Sequence, residues 1–207
     1  MFVQRLKEQF NINEPIFTEE IMRLFPEYSR MQVFRFINKA EENKEIVQFT
    51  KGVYFIPKIT EFGLSTITAD DVAQKKYIEW KENIYGVVSG IGLLNDFSVT
   101  TQVPAVIEIV TNNETTRKRE ITIRNRRFIL KKSRVEINKD NAAAYTVLQL
   151  FDEFGKETKL DEYSSRLVTE YVRRQGVTKA QLLNLAVNFP GRTIQKLIRS
   201  DVFNEIA

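Results

Sequence analysis

Arg30, Gln32, Arg35, Asn38 and Lys39 crowd into ten residues, and every one of them carries hydrogen-bond donors. Arginine donates in a bidentate manner to guanine and glutamine pairs with adenine, so the set has the chemistry to read base edges. Lys51 sits twelve residues further on, in a Thr50-Lys51-Gly52 turn where an ammonium group can meet phosphate or a neighbouring minor groove. Ser29, Arg30, Gln32, Arg35, Lys39 and Lys51 are therefore the candidate DNA-contacting residues. The alternative is a solvated charged face on an ordinary small domain, or a surface for protein contacts.

A second group is denser in charge: Arg117, Lys118, Arg119, Arg124, Arg126, Arg127, Lys131, Lys132 and Arg134. Counting Lys and Arg against Asp and Glu, residues 113–134 give 9 − 2 = +7, whereas residues 1–58 give 9 − 8 = +1. Residues 59–112 give 3 − 7 = −4, and residues 135–207 give 10 − 10 = 0. The basic excess thus lies away from the base-reading candidates. It suits a second phosphate-contacting surface or a site for an acidic partner. It also suits a sheet face whose lysines protect an edge, and the sequence leaves these open.

Two absences narrow the chemistry further. The 207 residues include no cysteine, so there is no disulfide, thiolate nucleophile or cysteine-based zinc site. They include no histidine either, which removes histidine bases, histidine triads and histidine-bound metals together. Ser89-Gly90-Ile91-Gly92 is no phosphate loop, lacking the Gly-Lys-Ser/Thr ending; helix packing or close backbone approach accounts better for its glycines. No compact carboxylate cluster paired with a lysine on adjacent strands is apparent, so a magnesium-dependent nuclease is the weaker reading. A non-enzyme with no catalytic residue, metal or cofactor is expected. No window approaches a membrane span, and the amphipathic Met1–Glu8 lacks the apolar core of a signal peptide. A cytoplasmic protein is expected.

The elements that must position these residues are legible. Phe2, Val3, Leu6 and Phe10 have helical spacing, Thr18 is placed to cap a second helix ending at Pro26, and Ser29 to cap a third with Val33, Phe34, Ile37 and Ala40 buried. Residues 46–49 and 53–56 read as strands of a hairpin. Helix, helix, tight turn, helix and hairpin is the winged helix-turn-helix order, with the third helix in the major groove and the hairpin as wing. Residues 58–68 read as a linker, and a helix start at Thr68 leads through Trp80. Strands are predicted over 105–111, 120–123 and 127–132, with Arg124-Asn125-Arg126 as a turn. Helices are predicted over 140–154, 160–174 and 178–187, with a fourth from Arg192. The last pair resembles a helix-turn-helix exposing Arg192, Gln195, Lys196 and Arg199, although a structural helical pair is the plainer account. The fold class is α+β: a winged helix-turn-helix domain over 1–58, an α+β domain with a small antiparallel sheet and basic hairpin over 68–138, and a C-terminal helical bundle over 139–207 packed with it.

Several motifs then converge. Gly52-Val53-Tyr54-Phe55-Ile56-Pro57 follows the wing; Tyr85-Gly86 precedes Ser89-Gly90, Leu94 and Thr100-Thr101-Gln102-Val103-Pro104; Phe189-Pro190-Gly191-Arg192-Thr193 comes late. Over nearly its whole length the chain resembles the antitoxins of the AbiE abortive-infection system, a type IV toxin–antitoxin family. Thr-Thr-Gln-Val-Pro is the most specific element. Asp96-Phe97-Ser98 departs from the pattern, which has a glycine-containing turn there. The resemblance implies an N-terminal winged helix that binds inverted repeats in its own promoter and represses the operon. It also implies a C-terminal part that counteracts a nucleotidyltransferase-like toxin encoded alongside, without requiring a stable complex.

Overall fold

Phe2, Val3, Leu6 and Phe10 recur on one face of helix α1 (Phe2–Gln9), which buries Leu6 completely. This is the first element of a computed structural model that describes residues 2–155 and 160–206. The chain divides into two units, one of Met1–Lys75 with Ile123–Asn125, the other of Lys76–Thr122 with Arg126–Ala207.

In the first unit α1 is followed by β1 (Ile16–Phe17), α2 (Thr18–Leu24), α3 (Arg30–Glu42), β2 (Val47–Thr50) and β3 (Val53–Phe55). The three strands form an antiparallel sheet in the order β1-β3-β2, with Ile16 opposite Tyr54 and Val47 opposite Phe55. Gly52 closes the turn between β2 and β3 at φ +79°, a conformation that costs a residue with a side chain 1–2 kcal/mol or so. Ile21, Val33 and Ile37 are wholly buried and meet Leu6 and Ile16 in one core. Thr18 does not cap α2 as expected. Phe17 takes that place, its N–H donating to Glu20 Oε2 at 2.8 Å, while the Thr18 hydroxyl donates to Gly52 O at 3.2 Å. Ser29 does cap α3.

The stretch read as a linker contains a small hairpin, β4 (Ile59–Thr60) and β5 (Gly63–Leu64). Thr68 caps α4 (Ala69–Ala73), which passes into a π-helical turn at Gln74–Ile78 rather than running on as one helix to Trp80. Lys75 lies in that turn. Its Nζ lies 2.9 Å from Glu14 Oε1, 2.9 Å from Glu20 Oε1 and 2.6 Å from Pro15 O, with only 4% of the side chain exposed. A buried ammonium is tolerable only when paired and hydrogen-bonded in this way.

The second unit begins with a short hairpin, β6 (Glu79–Trp80) and β7 (Asn83–Ile84), then β8 (Gly86–Ser89), α5 (Gly90–Asp96), β9 (Ile107–Thr111), β10 (Lys118–Ile123) and β11 (Arg126–Lys132). The sheet order is β10-β11-β9-β8, antiparallel at β8–β9 but parallel at β9–β11, where Leu130 stands opposite Ile109. Helices α6 (Ala142–Glu153), α7 (Glu162–Arg174), α8 (Lys179–Ala186), α9 (Gly191–Ile198) and α10 (Asp201–Glu205) complete it. α6 is its axis, with Tyr145, Val147, Leu148 and Leu150 wholly buried. One core runs from Val87 and Val110 on the sheet to Leu182 and Leu197 on α8 and α9, so the middle region and the C-terminal helices pack as one body. None of the described helices is long and apolar enough to cross a membrane.

Candidate nucleic-acid interface

Helix α3 turns Val33, Ile37 and Ala40 inward, and the 3.6-residue repeat leaves Met31, Arg35 and Asn38 near the centre of the opposite face. Arg30 and Gln32 fall toward its two flanks. By residue type alone these donors are equivalent; the fold separates them. Ser29 and Gln32 are committed to each other: Gln32 Oε1 accepts from Ser29 N at 2.9 Å and from Ser29 Oγ at 2.9 Å, while Ser29 Oγ accepts from Gln32 N at 3.4 Å. This reciprocal cap satisfies N–H groups at the helix start and takes the Gln32 amide oxygen away from adenine. The Arg30 guanidinium lies 5.7 Å from the centre of the Phe34 ring. Arg35 Nη2 stands 3.9 Å from Met31 Sδ. Asn38, Lys39 and Lys51 are exposed. Met31, at 68% exposure, is the residue that a search for donors passed over; its phase with Arg35 was the available signal.

The basic segment looks different once folded, because partners distant in sequence reach it. Arg119 Nε donates to Glu114 Oε2 at 2.8 Å and Arg127 Nε to Glu120 Oε1 at 2.6 Å. Lys131 Nζ lies 2.6 Å from Glu108 Oε2 and 3.2 Å from Glu153 Oε1, and Arg134 Nη2 donates to Asp152 Oδ2 at 2.8 Å. Adding Glu108, Asp152 and Glu153 to the count lowers the local balance from +7 to 9 − 5 = +4. Arg124, at the β10–β11 turn, donates through Nε to Phe49 O at 2.7 Å, its guanidinium 4.2 Å from the Phe49 ring centre. It is held by backbone and ring, so it is no free phosphate ligand. Arg117, Lys118 and Lys132 are exposed and form no ion pair among the described residues. In the last helix pair Arg192, Gln195 and Arg199 are exposed as expected, but Lys196 is half-buried. Lys196 Nζ donates to Phe154 O at 2.6 Å at the end of α6, and burial, with Arg192 nearby, pushes its ammonium below the ordinary lysine value.

A family of unknown function, DUF6088, matches residues 17–180. The chain belongs to that family. The DUF6088 match takes in α2, α3, β2, β3, the four-stranded sheet, α6 and α7, and stops before α9 and α10. No curated protein matches the chain in sequence.

One further arrangement in the DUF6088 chain escaped the sequence reading. Glu108 on β9 and Lys131 on the adjacent β11 do pair, with Glu153 as a second carboxylate and Gln149 Nε2 donating to Glu153 Oε1 at 2.8 Å. Burial opposes the Lys131 charge, but the two carboxylates outweigh it and raise the ammonium above its ordinary value. The three ionic residues are 23 and 22 positions apart in sequence, so spacing gave no hint of them. Gly90, at φ +65°, lies so close to Glu108 that an added Cβ would stand 2.7 Å from the Glu108 carboxyl carbon. The left-handed φ is thus its reason for being glycine, since the near neighbour is a flexible side chain rather than backbone or a packed helix. Among the described residues no three acids stand close enough together to hold a metal ion. Thr100–Pro104 is an irregular segment, and Ser98 before it adopts φ +57°, the left-handed conformation that a glycine in this turn would supply without strain.

Proposed function

We propose that this chain is a DNA-binding regulator whose residues 1–58 act as a winged helix-turn-helix. In this reading α3 enters the major groove, the β2–β3 hairpin is the wing and Lys51 touches the backbone from its tip. The observation that carries it is the outward face of α3: Arg30, Arg35, Asn38 and Lys39 are exposed on a helix whose opposite face is fully packed. The element order α1-β1-α2-α3-β2-β3, with β1 completing the sheet on β3, supports it. Arg117, Lys118 and Lys132 are the members of the basic segment best suited to add phosphate contacts.

The resemblance to AbiE antitoxins supplies the biological form of the proposal: an autorepressor that binds inverted repeats in its own promoter and counteracts a nucleotidyltransferase-like toxin without a stable complex. Regulation, rather than catalysis, is its work, and it needs no cofactor. The test is binding of the full chain to the duplex upstream of its own gene against an unrelated duplex of equal length, together with co-expression beside the neighbouring reading frame. Tighter binding to the upstream duplex and rescue of growth are expected. Equal binding to both duplexes overturns the repressor reading, and no rescue overturns the antitoxin reading.

A second reading has one observation behind it. β10 is an edge strand, so its Arg117, Lys118 and Arg119 approach also suits docking of an acidic protein surface. Reversing Lys118 and Lys132 to glutamate separates the two. A smaller salt dependence of DNA binding supports phosphate contact, and unchanged DNA binding supports docking.

A further inference from the structure

The major groove offers one apolar group to a protein, the C5-methyl of thymine, beside the acceptors of guanine and the mixed edge of adenine. α3 carries one strongly exposed apolar side chain on its donor-bearing face, Met31. A single exposed methionine needs no explanation by itself. Its position gives it one. Met31 is the second residue of α3, in the N-terminal part that meets base edges when such a helix docks. Arg35 follows one turn later on the same face, and its Nη2 stands 3.9 Å from the Met31 sulfur, so the two side chains project together. Gln32, on one flank, has its amide oxygen consumed by the cap, and Arg30, on the other, lies beside Phe34. The N-terminal half of the face therefore presents an arginine and an apolar side chain next to each other, with Asn38 one turn further on. An unbranched thioether also adapts its shape to a methyl group better than a branched side chain does.

We infer that Met31 determines sequence preference by packing on the C5-methyl of a thymine next to the guanine bonded by Arg35. The inference rests on the DNA-binding reading above and adds the base that the helix selects. It predicts discrimination between thymine and deoxyuridine, which differ only in that methyl.

The experiment enriches duplexes from a random pool with the full chain and with Met31→Ala, then replaces each thymine of the wild-type consensus by deoxyuridine in turn. Because Met31 is exposed, Met31→Ala is expected to keep the wild-type circular dichroism and melting temperature. At one position in each half-site the wild type should lose about 4-fold in affinity, the worth of one buried methyl-sized group, and Met31→Ala should lose nothing. Exchanging cytosine for 5-methylcytosine at the same position isolates the methyl again and should strengthen binding by the wild type alone. Sequence-specific binding that tolerates deoxyuridine everywhere, or that loses equally in Met31→Ala, overturns the inference and leaves DNA binding standing. A pool from which no sequence is enriched overturns both.

Discussion

The outward face of α3 and the basic strands β10 and β11 are near opposites. Residues 1–58 hold a net charge of only 9 − 8 = +1, yet the α3 donors other than Gln32 stand free of ion pairs among the described residues. Residues 113–134 hold +7, yet Arg119, Arg127, Lys131 and Arg134 are each matched to a carboxylate. Charge counted along a sequence is thus a poor measure of charge available to a partner, because the fold decides which acids meet which bases. A binding face is recognised by side chains left over after folding. The first unit tolerates Lys75 in its interior because Glu14 and Glu20 both reach its Nζ.

The largest effect should follow from breaking that interior arrangement. Lys75→Met leaves Glu14 buried beside an uncharged side chain, and removing one partner of such a pair costs about 3–5 kcal/mol. Urea unfolding followed by far-UV circular dichroism measures it. Lys75→Met combined with Glu14→Gln should recover part of the loss, since it no longer strands the Glu14 carboxylate. If the single variant is as stable as wild type, the pair is solvated in solution and buried charge matters little to this unit.

Next in size is the α3 face itself. Arg35→Ala should cost about 1–3 kcal/mol of binding to the enriched duplex and relax preference at one base pair, with the fold intact. Arg30→Ala should cost less, because that side chain lies toward the flank, and Gln32→Ala should act through the cap, lowering stability more than specificity. Titration of the three variants against one duplex orders them. An Arg30→Ala loss exceeding that of Arg35→Ala would place the centre of the contact face on the wrong side of the helix.

How far these features were legible depends on how local they are. The α3 cap at Ser29, the Lys51-Gly52 turn, the Thr68 cap and the α6 apolar stripe are set by neighbours within a few residues, and all were readable. The parallel pairing of β9 with β11, the Lys75 cluster and the Glu108–Lys131–Glu153 contacts join residues 21 to 61 positions apart, and nothing in the local pattern marks them. Gln32 was misjudged for a subtler reason. Its place three residues after the Ser29 cap makes a Ser-x-x-Gln capping box, which commits the amide to the helix start.

A smaller effect belongs to pH. Burial opposes the charge of Glu114, but hydrogen bonds from Thr116 and Thr115 and the Arg119 guanidinium outweigh it and hold the carboxyl below the ordinary glutamate value. A carboxyl with a lowered folded pKa adds stability above its unfolded pKa and loses it as pH falls through the folded one. The wild type should therefore lose stability on acidification from the ordinary glutamate range downward, and Glu114→Gln should lose less over the same interval. Melting temperatures across that range test this; parallel curves would mean that Glu114 titrates normally.

The smallest effect separates leftover cations from matched ones. Arg127 is paired with Glu120 on the surface, where such pairs contribute little and the guanidinium is already partly neutralised. Lys118 has no ion-pair partner among the described residues. If Lys118 meets phosphate, Lys118→Ala should lower the slope of log affinity against log salt by about 1, the share of one released counterion. Arg127→Ala should change that slope by much less, although it removes the same formal charge. Arg127→Ala should also leave the melting temperature close to that of the wild type, because an exposed pair adds little to stability. The two variants have identical net charge, so a model in which only the total matters requires equal slopes. Equal slopes would mean that the +7 segment acts as a diffuse cloud, whereas unequal slopes assign the contact to side chains the fold has left unmatched.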